Sequence, residues 1–126
     1  DLPRNVSPAI ICAGIPDCKI ENVLLENIEI VVPGAGNPLY AYRGTSAEEL
    51  EAIPEMIDYY PEFSQWKELP AWGAYLRHMN GITFKNVNIR AEAPDYRPCI
   101  VADDVLNLSI DEKQFEGIVT NKTTKK

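Results

Sequence analysis

Apolar residues along this chain recur in short alternations separated by slips of phase. Residues 20–30 read Ile-Glu-Asn-Val-Leu-Leu-Glu-Asn-Ile-Glu-Ile, with Val23 and Leu25 in one phase and Ile28 and Ile30 in the next. Residues 79–89, Met-Asn-Gly-Ile-Thr-Phe-Lys-Asn-Val-Asn-Ile, carry the same columns in Ile82, Phe84, Val87 and Ile89, and Asn86 repeats Asn27 at an offset of 59. A third and weaker copy spans residues 105–115 at a further offset of 26, with Lys113 breaking one apolar column and Glu112 standing in place of the asparagine. Side chains alternate faces along a strand, whereas a helix would return apolar residues every 3.6 positions or so. Period two with a slip therefore predicts two short strands joined by a bend in each copy.

Each copy follows a proline and a short apolar stretch: Pro8 with Ile10-Ile11, Pro70 with Ala74-Tyr75-Leu76, and Pro98 with Ile100-Val101. One unit is then about three short strands. A unit of this size cannot bury its own apolar face, so copies must stack and share an interior. The pattern predicts an all-β solenoid of about three rungs, one domain over residues 1–119. Asn27 and Asn86 are expected to form a hydrogen-bonded ladder at the bend, satisfying groups that would otherwise be buried unpaired.

Between the first two copies the strand pattern disappears from Pro33 to about Leu69, which marks residues 33–69 as an insertion into a turn. It opens with the loop-forming run Pro33-Gly34-Ala35-Gly36-Asn37-Pro38. Ser46-Ala47-Glu48-Glu49 has capping-box spacing and predicts a short helix from about residue 47, limited or restarted by Pro54. Residues 120–126 carry no apolar side chain and are expected to form a disordered tail.

Composition narrows the function classes. The 126 residues, 45% hydrophobic and 25% charged, suit one globular core. A net charge of -7 repels nucleic-acid backbones and anionic membranes, so neither is expected as a partner. No apolar run approaches the roughly 18 residues of a membrane span, and the first residues, Asp1-Leu2-Pro3-Arg4, show no signal-peptide core. Cys12, Cys18 and Cys99 include no Cys-x-x-Cys pair and indicate no metal site, and no cofactor is expected. Two readings of the cysteines remain, a Cys12–Cys18 bridge or buried thiols, the second favoured.

The run Leu69-Pro70-Ala71-Trp72-Gly73-Ala74-Tyr75-Leu76-Arg77-His78-Met79-Asn80-Gly81-Ile82, with Asn86-Val87, Asp95-Tyr96-Arg97-Pro98-Cys99-Ile100 and Asp103-Asp104-Val105, resembles the C-terminal region of bacterial glycoside hydrolase family 28 proteins. Gly14-Ile15-Pro16 and Tyr60-Pro61-Glu62 fit the same region, so the resemblance covers about residues 7–115. It implies a right-handed parallel β-helix of the pectin-lyase-like kind. It also implies a secreted or periplasmic glycosidase of the polygalacturonase type, acting on pectic polysaccharide. The family's Asn-Thr-Asp, Gly-His-Gly and Arg-Ile-Lys motifs lie upstream of the matched region and do not occur here. Inverting hydrolysis needs an acid and a base about 6.5–9.5 Å apart around a water. No catalytic residue is therefore assigned, and the chain is expected to be inactive alone, closing the end of the helix and lending residues 33–69 to the cleft rim. The partners that follow are pectic polysaccharide and either the missing N-terminal rungs or another copy of the chain. The alternative is a non-catalytic solenoid module that binds polysaccharide or protein.

Four residues are the substrate-binding candidates. The Arg77 fork matches the geometry of a galacturonate carboxylate, and His78 stands beside it. Against this, Arg77 can pair with an internal acid and His78 can satisfy a backbone carbonyl, and that structural role is favoured. Tyr60 and Trp66, with Tyr59, Phe63 and Trp72, can stack on sugar faces or anchor the insertion to the solenoid wall. Asp103-Asp104 is the sole adjacent aspartate pair; alternation places its carboxylates on opposite faces, and turn capping is the favoured role. Asp95 and Arg97 have the spacing of a local ion pair that holds a loop.

Overall fold

A computed structural model describes residues 10–34, 46–51, 53, 70–93, 95, 97–111, 115 and 117–125. Its elements in chain order are β1 (Ile10–Ala13), β2 (Ile20–Gly34), α1 (Ala47–Glu51), β3 (Ala74–Ala93), β4 (Ile100–Ser109) and β5 (Ile118–Asn121). The chain is mostly β, with parallel strands in one sheet and one short helix among the described residues. β3 is central: β1 and β2 pair along one edge, β4 along the other, and β5 lies beyond β4.

The register reproduces the sequence columns. Ile20 faces Met79 and Ile28 faces Val87, the spacing of 59 that also separates the hydrogen-bonded Asn27 and Asn86. Met79 faces Val105 and Ile82 faces Leu108, at the spacing of 26 that separates His78 from Asp104. Apolar columns set this register because a slip of one residue would turn each of them away from the interior.

The long strands are series of short straight stretches. Asn22, Asn27, His78, Asn86, Asp104, Asn107 and Lys122 adopt φ between 51° and 56°, and Gly81 adopts 94°. These left-handed residues fall into columns, Asn22 with Gly81 and Asn107, Asn27 with Asn86, and His78 with Asp104 and Lys122. The in-register pairing of β2 with β3 and of β3 with β4 skips those same positions. Asparagine and glycine tolerate this conformation better than most residues, which explains their recurrence at the predicted bends.

Two apolar clusters flank the strands. Leu76, Met79, Ile82, Val87, Ile100, Val105 and Leu108 belong to the larger one, with Ile20, Val23, Leu25, Ile28 and Ile30 packed against it. Tyr75 and Val101 lie on the other face with Ala71, covered by Leu50 of α1 and by Ile53. The stretches at 74–77 and 100–103 are thus buried on both faces, and such parallel strands read as continuous apolar runs. The capping box forms as predicted, Glu49 N donating to Ser46 Oγ at 3.2 Å and Ser46 N to Glu49 Oε1 at 3.4 Å.

Residues 120–125 depart from the expected disordered tail. Thr120 and Asn121 complete β5 opposite Ala102 and Asp103, and Lys125 bridges to Leu108. Composition missed this because backbone pairing and polar side chains hold the segment: Thr123 Oγ1 donates to Ala102 O at 2.9 Å. In the third copy the pairing continues through Ser109; Glu112 and Lys113 lie outside the described residues. Phe115 is buried, edge-on to Phe84 with ring centres 6.0 Å apart.

Candidate functional site

One column of bends brings several ionisable side chains together. His78, Asp104 and Lys122 occupy successive left-handed positions, and Lys19 immediately precedes β2 at the same level. His78, Asp104 and Lys122 meet in a cleft of about 390 Å³ lined also by Pro16, Glu51, Arg77 and Asp103.

Asp104 is the hub. His78 Nδ1 lies 2.7 Å from Asp104 Oδ2, and Lys19 Nζ lies 3.3 Å from Oδ1. A carboxylate accepts only, so the His78 proton sits on Nδ1. Burial pushes the Asp104 carboxyl up, but the hydrogen bonds and charges of His78 and Lys19 outweigh it and hold the pKa below the ordinary value. Across the cleft Lys122 Nζ donates to Glu51 Oε1 at 2.8 Å, which holds the ammonium pKa above its usual value.

Asp103 forms the floor. Its Oδ2 lies 3.2 Å from Arg77 Nε, with side chains only 3% and 5% exposed, and its Oδ1 accepts from Asn121 Nδ2 at 2.9 Å. Arg77 Nη1 donates to Ile53 O at 2.8 Å, tying the insertion to β3. The internal acid weighed as a partner for Arg77 is therefore Asp103. His78 meets the Asp104 carboxylate.

The expectation that Asp103 and Asp104 point to opposite faces does not hold, since both line this cleft. Asp104 has φ of 56°, and a left-handed residue breaks the alternation of a regular strand. Turn capping by this pair gives way to ion pairing with side chains of neighbouring strands. Lys19, Glu51, Asn121 and Lys122 were not singled out from the sequence. The offset of 59 that places Lys19 level with His78 was a signal for the first of them; Glu51, Asn121 and Lys122 fall on neither repeat offset.

Tyr59, Tyr60, Phe63 and Trp66 lie outside the described residues. Trp72 is half-buried against the large core and lines a second hollow, of about 820 Å³, with Asn88, Arg90 and Glu92. Arg97 closes one side of that hollow in the predicted local pair, donating from Nε to Asp95 Oδ1 at 2.8 Å and from Nη2 to Oδ2 at 2.7 Å. Both of those side chains are fully buried.

Cys12, Cys18 and Cys99 are all free thiols, and they are half-buried, exposed and buried respectively. Among the described residues, no group of three His, Cys, Asp or Glu side chains is placed to hold a metal ion. Comparison of the chain with protein-family models, curated proteins and solved structures finds no match.

Proposed function

We propose that this chain is the C-terminal portion of a secreted or periplasmic polygalacturonase-like glycoside hydrolase acting on pectic polysaccharide. Its strands would form coils of a right-handed parallel β-helix. The single observation that carries the reading is the in-register parallel pairing of repeated columns, Ile20 on Met79 and Met79 on Val105. Stacked coils place equivalent residues one above another, which is how a pectinase-type wall is built.

Its role in that enzyme is to close one end of the helix and to line the rim of the cleft. Two features support contact with a uronate chain without hydrolysis. Lys122 brings an ammonium group to the cleft, and the Lys122–Glu51 pair is 60% and 50% exposed, so a sugar carboxylate can compete for the lysine. Asp103 and Asp104 both have their two oxygens engaged by neighbouring side chains, so neither is poised as the acid or base of a hydrolase.

Affinity electrophoresis through polygalacturonate, with reducing-sugar release measured in parallel, tests the reading. Retardation is expected, weakened by Lys122→Glu, without sugar release. Sugar release abolished by Asp104→Asn would overturn the non-catalytic role, and mobility unaffected by polygalacturonate would remove the uronate contact. A non-catalytic binding module remains the second reading, favoured by the same engaged carboxylates; retardation by neutral polysaccharides alone would select it.

A further inference from the structure

The bends at His78, Asp104 and Lys122 follow the parallel stretches 74–77, 100–103 and 118–121, and the hollow beside Trp72 lies at their other end, where Trp72, Pro98 and Gly117 precede them. At about 3.3 Å per residue the two sites stand roughly 15 Å apart, and among the described residues they share no lining side chain. The hollow, of about 820 Å³, has the size of a ligand pocket, usually about 300–1,000 Å³.

Its parts differ in what they can offer. Ile89 and Phe115, both 6% exposed, give an apolar floor, and half-buried Trp72 adds an indole anchored on the core. Asp95 and Arg97 are fully buried, so their doubly hydrogen-bonded pair fixes one wall without itself reaching a ligand. Along the rim β3 exposes Asn88, Arg90 and Glu92.

The rim selects the ligand by its bonding groups and its charge. The Asn88 amide donates and accepts, Arg90 only donates and Glu92 only accepts; a hydroxyl does both and suits all three. Arg90 Nη2 already meets Glu29 Oε1 at 3.4 Å, so an anion entering here would face two carboxylates for one exposed guanidinium. No net attraction for an anion results. A ring with C–H groups on its face and hydroxyls around its edge fits the indole and the rim together.

We propose that this hollow binds a neutral pyranose, stacked on Trp72 and hydrogen-bonded by Asn88, Arg90 and Glu92. The ligand class is distinct from the uronate assigned to the Lys122 cleft, and the proposal does not depend on that assignment.

A Trp66→Phe chain leaves Trp72 as the sole indole reporter. Its fluorescence is titrated with neutral tetrasaccharides of galactose, glucose and mannose, and with tetragalacturonate. At least one neutral sugar is expected to give a saturable change, weakened roughly tenfold when Asn88→Ala and Glu92→Ala remove two exposed hydrogen-bonding groups. Tetragalacturonate is expected to leave the signal unchanged. Absence of saturation with all three neutral sugars, indifference to the rim variant, or equal affinity for tetragalacturonate would each overturn the proposal. Lys122→Glu separates the two sites: it is expected to leave neutral-sugar binding intact, and loss of that binding would place the sugar in the other cleft. Neutral-sugar binding that persists where polygalacturonate causes no retardation would remove the uronate contact alone.

Discussion

Asn86 hands its side-chain N–H to the Asn27 oxygen at 2.7 Å, and both residues hold φ of 55° at equivalent bends of adjacent strands. The same side chain thus serves twice, tolerating the left-handed backbone and bonding along the stack.

Replacing Asn86 separates these roles. Asn86→Ala is expected to cost about 1–2 kcal/mol, combining the left-handed penalty of a Cβ residue with a lost, solvent-exposed hydrogen bond. Asn86→Gly loses the bond but relieves the backbone, so its urea midpoint should fall less. Equal losses would show that the bend does not select for left-handed tolerance.

The Arg77–Asp103 pair is nearly dry, with side chains 5% and 3% exposed. Arg77→Met leaves a buried carboxylate without its cation and is expected to destabilise by about 3–5 kcal/mol. Arg77→Met combined with Asp103→Leu removes both charges and should recover a large part of that loss. A double variant as unstable as the single one would refute the electrostatic account.

Asp104 predicts a contribution to acid sensitivity. Its folded pKa lies below the ordinary 3.8, because the hydrogen bonds and charges of His78 and Lys19 prevail over burial. The folded chain therefore binds this proton less readily than the unfolded one. Its contribution is complete above 3.8 and is lost as the pH falls from there through the depressed folded value. Asp104→Asn should flatten the stability profile in that window; an unchanged slope in acid titration of the two proteins would exclude this role.

Thiol reactivity should be graded. Exposed Cys18 is expected to react with an aromatic disulfide reagent in the native state, half-buried Cys12 more slowly. Burial pushes the Cys12 thiol up and raises the Cys99 pKa to about 12, so Cys99 should react only on unfolding. Rapid labelling of Cys99 in native buffer would contradict its burial.

Gly73 packs against Cys99, the residue just before β4. A Cβ there would stand 2.7 Å from both the carbonyl oxygen and the sulfur of Cys99. Gly73→Ala is expected to cost about 1–3 kcal/mol through overpacking, read as a lower thermal midpoint. An unchanged midpoint would mean that the strands separate without cost at this point.

The stacking register and the helix start are legible in the sequence. Apolar side chains must face one interior, so the columns of Val23, Ile82 and Leu108 carry the stacking within their own spacing. Ser46 and Glu49 need only each other to begin α1. Those signals are local or strictly periodic, and linear order preserves them.

The cleft was legible only in part. Arg77 and His78 stood out by residue type, but their partners Asp103 and Asp104 come together on one side because a left-handed bend turns consecutive side chains out of alternation. Glu51 reaches Lys122 from the insertion, and Asn121 reaches Asp103 from a strand whose pairing relies on backbone groups common to every sequence. Chain order encoded which residues face inward, because burial of apolar surface repeats with the coil. Folding in three dimensions chose the remaining partners, because contacts such as Glu51 with Lys122 depend on returns of distant chain that leave no periodic trace.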